Sequence, residues 1–165
     1  FHEQWIVTWL NGRAGKELRR RGWVIAGHDE RARELFNSLE EQFGPVVQCR
    51  AVNFHRGLST NMLSRMMCDA LHETDTGDGV VFLTDITGAP PYRAAALLSH
   101  KHDNCEVISG VDSQLLLAMY PLRLTLNSSD FRDEIVTRGG ATVSSLWHQQ
   151  QKNPPFVLLH DLYEK

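Results

Sequence analysis

A chain of 165 residues favours one domain, long enough to bury a real core. Hydrophobic residues make up 42% of it and charged residues 22%, as in ordinary soluble globular proteins, and no apolar run reaches the roughly 18 residues that span a bilayer. The formal net charge of −3 gives no reason to expect nucleic acid as a partner. No signal peptide is visible, and the first residue is Phe1 rather than Met, which fits a start inside a longer product. Cys49, Cys68 and Cys105 form no CxxC and no zinc pattern. They read as buried structural thiols of a reducing cytoplasm.

Residues 1–21 stand apart: FHEQWIVTWL is apolar and aromatic, NGRAGKELRRR basic. They read as a short helical or extended arm, with arginines near the end where a helix dipole favours cations. Such a basic cluster fits a solvated face, or else a docking patch. From Gly22 the pattern is regular. GWVIAGH predicts a buried strand ending at His28. DERARELFNSLEEQF predicts a helix with Ala32, Leu35, Phe36, Leu39 and Phe43 inward, Asp29 as its N-cap and Gly44-Pro45 as its stop. VVQCRAVNF is a second strand. STNMLSRMMCDALHE is a second helix with Met62, Leu63, Met66, Met67, Ala70 and Leu71 inward, the methionines filling core. VVFLTD, a third strand, runs into PPYRAAALLSHK, a helix opened by prolines. CEVISGVD is a fourth strand and its exit, and SQLLLAMYPLR a fourth helix.

After Leu126 the rhythm changes. SSDFRDEIVTR fits a helix capped by Ser128 or Ser129, and GGATVSSLW a short fifth strand. NPPFVLLHDLYEK reads as an appendage. Strands alternating with amphipathic helices imply βαβ units, a mostly parallel open α/β sheet and right-handed crossovers. The expected division is an arm over 1–21, one α/β domain over 22–148 and an appendage over 149–165.

In such a sheet, ligands sit at the carboxyl ends of strands near a topological switch point. His28 ends the first strand and Asp85 the third, and these strands are commonly neighbours. A carboxylate that holds one imidazole nitrogen fixes the tautomer and leaves the other nitrogen free as a nucleophile. Taken alone, His28 also fits a helix-entry histidine bonded to backbone, and Asp85 a turn aspartate satisfying loop N–H groups. Together, beside a glycine-containing turn into a helix whose N-terminus favours an anion, they point to a site. Phosphoryl transfer suits that chemistry. The other histidines give no metal set: His100 and His102 are two apart on a presumed helix and do not share a face.

GWVIAGH, VNFHRGLS, GDGVVFLTDITGAPPYRAA and CEVISGVDSQLLLAM, in that order and spacing, resemble the enzyme IIA domain of the mannose family of the bacterial phosphotransferase system, over about residues 22 to 148. The resemblance implies four parallel strands plus one antiparallel edge strand, near Ala141–Trp147, exchanged between the subunits of a homodimer. It implies a cytoplasmic phosphocarrier that takes a phosphoryl group from HPr onto His28 and passes it to a IIB component, and so to a sugar entering through a membrane IIC/IID complex. Asp85 supports the imidazole of His28, and the turn Thr87–Gly88–Ala89 binds phosphate. No metal and no cofactor are implied.

The chain departs from the family after the third strand, where Asp-x-x-Gly-Gly-Ser/Thr-Pro is usual. Here Asp85 is followed by Gly88, Ala89, Pro90 and Pro91. Pro90 removes a hydroxyl and a backbone N–H together. Ala89 replaces a glycine, which matters if the turn needs positive φ there. Asp29 follows the histidine, and Asp112 stands where asparagine is common. Arg93, in the first turn of the third helix, is expected to bind phosphate in place of the lost donor; otherwise it is an ordinary exposed arginine. Two alternatives remain: a regulatory IIA-like protein without efficient transfer, and the phosphocarrier subunit of a dihydroxyacetone kinase.

Overall fold

The structure is a computed structural model that describes residues 21–152. The expected arm, apart from Arg21, and residues 153–165 of the expected 149–165 appendage lie outside the described residues, while 149–152 belong to the last helix. The strands are β1 (Gly22–His28), β2 (Cys49–Phe54), β3 (Val80–Thr84), β4 (Glu106–Ser109) and β5 (Ser144–Ser145). Between and after them run α1 (Arg31–Phe43), α2 (Thr60–Thr74), α3 (Pro90–Lys101), α4 (Ser113–Met119), α5 (Ser128–Gly139) and α6 (Leu146–Lys152).

The strands form one sheet in the order β2-β1-β3-β4-β5. Four are parallel and β5 is an antiparallel edge, pairing Ile108 with Ser145 and Ser109 with Ser144. Both faces of the parallel part are covered, which is why its strands read as continuous apolar runs. The period of two sorts them. Trp23, Ile25, Val81, Leu83 and Ile108 point to the layer that holds Leu39, Leu116, Met119, Phe131 and Ile135. Val24, Ala26, Val80, Phe82 and Val107 point to the layer that holds Leu63, Met67, Leu71, Tyr92 and Ala95. The chain leaves β1 toward β2 and then returns to the other side of β1 with β3. The switch point therefore lies between β1 and β3, in the register Ala26 beside Thr84.

The amino-terminal end of the sheet is locked. Arg123, 3% exposed, donates to the carbonyls of Arg21, Val47 and Gln48 and lies 5.0 Å from the Trp23 ring. Cys49, buried at the start of β2, has its thiol pushed by that burial up to about 12, which keeps it an inert thiol. Cys68 and Cys105 are half-buried.

Several local expectations change. The residue before α1 is Glu30, and Asp29 caps nothing: it sits in the left-handed region with φ 54°. Asn127, not Ser128 or Ser129, caps α5, accepting from the Asp130 N–H at 2.8 Å. The fourth helix gives way to a 3₁₀ turn over Tyr120–Arg123, where Pro121 has no N–H to continue an α-helix. The fifth strand is two residues long, between a 3₁₀ turn over Gly140–Thr142 and α6. Met62 and Phe43, expected inside, are 44% and 38% exposed. Phe43 stacks instead on Tyr120, with ring centroids 4.6 Å apart.

Candidate functional site

The switch point brings His28 and Asp85 together across 57 positions of sequence. β1 ends on His28, and β3 ends one residue before Asp85. Asp85 Oδ2 accepts from the His28 backbone N–H at 2.9 Å and stands 2.9 Å from His28 Nδ1. Its other oxygen accepts from the Ile86 N–H at 2.9 Å. The carboxylate is thus oriented at both oxygens, and its side chain is 5% exposed. Being acceptor-only when ionised, it selects the tautomer with the proton on Nδ1. The Nε2 lone pair is left free on a ring that is 30% exposed. Phe54, opposite His28 in the β1–β2 register, meets that ring edge-on at 5.6 Å.

Gly27 is what lets the carboxylate approach. A Cβ there would stand 3.3 Å from Asp85 Oδ2 and 3.2 Å from Arg31 Cβ, closer than most side chains tolerate. Arg31, the first residue of α1, places Nη1 3.9 Å from Asp85 Oδ2.

Two clefts open at this end of the sheet. One of about 330 Å³ is lined by His28, Asp29, Phe54, His55, Arg56 and Gly57. The other, of about 470 Å³, lies beyond Asp85 and includes Arg31, Glu34, Ser38 and Asp112. Asp112 caps α4 there, accepting from the Leu115 N–H at 2.8 Å.

The remaining residues singled out in the sequence are placed differently. Thr87 is exposed and its hydroxyl shares a 2.5 Å hydrogen bond with Ser109 of β4. Gly88 takes the turn's positive φ, 82°, while Ala89 is extended at φ −75°, so alanine is not strained at that position. Arg93 is exposed, but it lines a separate groove with Thr60, Asn61, Ser64, Pro90, Ala94 and Leu97. The expectation that Arg93 replaces the lost donor therefore has no support in the cleft that His28 lines. Sequence reasoning passed over Gly27, Arg31 and Arg56. Arg31 opens α1 only three residues after His28, and a cation that close to a strand-end histidine was a usable signal. Among the described residues, no three His, Cys, Asp or Glu side chains are grouped so as to hold a metal ion.

A parallel α/β sheet with an oriented imidazole at its switch point places one histidine where such sheets hold their ligands. Residues 22–136 match the family model described as "PTS system fructose IIA component". The chain is 67% identical over 143 residues to the Escherichia coli K12 protein named "Putative phosphotransferase enzyme IIA component YadI", covering 87% of this chain and 98% of that one. It is 30% identical over 112 residues to the "PTS system fructose-specific EIIA component" of Bacillus subtilis, covering 68% and 77%. Among solved structures, the phosphotransferase system component EIIA from Streptococcus agalactiae superposes with a TM-score of 0.64 at 21% identity, over 72% of this chain and 91% of that one. The chain belongs to the enzyme IIA family of the phosphotransferase system, the family of mannose- and fructose-type IIA components. Among the described residues no helix is long and apolar enough to cross a membrane.

Proposed function

We propose that this protein is a phosphocarrier: His28 accepts a phosphoryl group from phospho-HPr and passes it to a IIB component during sugar uptake. The observation that carries this reading is the 2.9 Å contact between His28 Nδ1 and Asp85 Oδ2, which leaves Nε2 as the nucleophile. In the forward step the Nε2 lone pair attacks phosphorus in line. The bond from phosphorus to the donor's imidazole nitrogen breaks, and its electron pair leaves with that imidazole. The His28 ring gains positive character as the bond forms, and Asp85, already oriented by the Ile86 N–H, stabilises it without reorganising. Transfer to the IIB component repeats the step with His28 as the leaving group. The chain would work as a homodimer in the cytoplasm, beside a membrane IIC/IID complex.

A regulatory IIA-like protein is the second reading. It is favoured by Pro90 and Pro91, which leave the first two positions of α3 without N–H donors, and by Asp29, whose carboxylate belongs to a residue lining the His28 cleft. Phosphoenolpyruvate, enzyme I and HPr, supplied to wild type and His28→Ala side by side, separate the two. Acid-labile phosphate on wild type alone is expected. Label on neither, with a competent HPr, would favour the regulatory reading, and label on both would move the nucleophile elsewhere.

A further inference from the structure

We infer that Arg56 is the cation that receives the phosphoryl group at His28, a position that resting on the phosphocarrier reading makes part of the transfer site. A phosphoryl group on Nε2 brings about two negative charges and three acceptor oxygens. Several donors of the turn after β3 are already committed or missing. Pro90 and Pro91 have no N–H, and the Ala89 N–H donates to the Ile86 carbonyl at 3.3 Å. The Thr87 hydroxyl is held by Ser109.

The nearby cations divide clearly. Arg31 faces Asp85 Oδ2 at 3.9 Å and lines the cleft on that carboxylate's far side. His55 lies 3.7 Å from Glu30 Oε1. Arg93 is in its own groove. Arg56 lines the same cleft as His28, is exposed, and among the described residues has no hydrogen-bond or ion-pair partner. Backbone geometry supports the placement. β2 runs beside β1 to the pair His28–Phe54, and the chain then turns, with the Leu58 N–H donating to the His55 carbonyl at 3.1 Å and Gly57 at φ 89°. That turn carries Arg56 two residues beyond the partner of His28, on the β2 side of the ring, whereas Asp85 holds the ring from the β3 side. A guanidinium there meets phosphate oxygens with a planar fork of N–H donors. It also offsets the Asp29 charge in the same cleft.

The test uses phosphoramidate, a small donor that needs no docked protein. The Nε2 lone pair attacks its phosphorus, the P–N bond breaks, and the nitrogen leaves as ammonia. Labelling of His28 is followed by ³¹P NMR for wild type, Arg56→Gln, Arg56→Lys and Arg93→Gln. Arg56→Gln is expected to slow labelling by roughly tenfold or more, with Arg56→Lys recovering part of the rate and Arg93→Gln staying within about twofold of wild type. Equal rates for Arg56→Gln and wild type, a slow Arg93→Gln, or no label on wild-type His28 would each overturn the inference. A guanidinium that only docks HPr would leave these rates unchanged. Arg56-dependent labelling by phosphoramidate, with none from phospho-HPr, would instead overturn the phosphocarrier function and leave Arg56 at the phosphate.

Discussion

Asp85 uses one oxygen for both the main chain and the ring of His28, and that arrangement decides which ring nitrogen can react. The neighbouring residue works against the same chemistry. Asp29 lines the His28 cleft, is exposed, and holds a left-handed backbone while its N–H donates to the Phe54 carbonyl at 3.0 Å. Asparagine tolerates that backbone as well as aspartate does, so Asp29→Asn removes charge and little else. Phosphorylation by phospho-HPr should then rise by about two- to fivefold, as expected for relieving one solvent-screened repulsion. An unchanged or slower rate, read from initial rates at saturating HPr, would mean that the Asp29 charge does not face the phosphoryl group. His28 and Asp85 were legible in the sequence because each stood at the end of an apolar run, where an α/β sheet places its ligands. The nearness of Arg93 along the chain to the altered turn says nothing about its groove, and Arg93 lines the one with Thr60 and Leu97 rather than the His28 cleft. Arg56 was hidden because its relevance comes from strand register: β2 must pair with β1 before residue 56 stands beside residue 28.

At the scale of elements, the approach of β3's exit to β1 depends on Gly27. Gly27→Ala would push a methyl group to 3.3 Å from Asp85 Oδ2 and 3.2 Å from Arg31 Cβ, so one of them must give way. The strand itself remains satisfied, because its ladder to β2 and β3 uses backbone groups only. The expected outcome is a stability loss under about 2 kcal/mol together with a phosphorylation rate lower by roughly tenfold or more. Chemical denaturation and HPr-dependent labelling on the same preparation check both. A wild-type rate would show that Asp85 tolerates the crowding. Element existence was legible almost throughout, since the strands read as short apolar runs and the helices kept a period of 3.6. The ends were not. Asp29 looked like a cap by residue type, but α1 begins after Glu30, and α5 is capped by Asn127, just before the two serines. Cap assignments depend on a single backbone angle, which composition does not encode.

For the whole molecule, the sheet order places all this at one end of the strands. The Arg123 and Trp23 cluster closes the amino end, and the β1–β3 switch opens the carboxyl end, where His28, Asp85 and Arg56 converge from three segments. The parallel core was readable because a sheet covered on both faces needs unbroken apolar strands. The last strand was overestimated: GGATVSSLW has β-favouring residues, yet only Ser144 and Ser145 pair with β4, and the chain then enters α6. In the proposed function Asp85 reserves Nδ1, so that the phosphoryl group travels on Nε2. The most direct measurement is ¹H–¹⁵N NMR of histidine-¹⁵N-labelled protein after phosphorylation, which distinguishes the two ring nitrogens of His28. Phosphate on Nε2 is expected, with Nδ1 still protonated toward Asp85. Phosphate on Nδ1, or on any histidine other than His28, would contradict it.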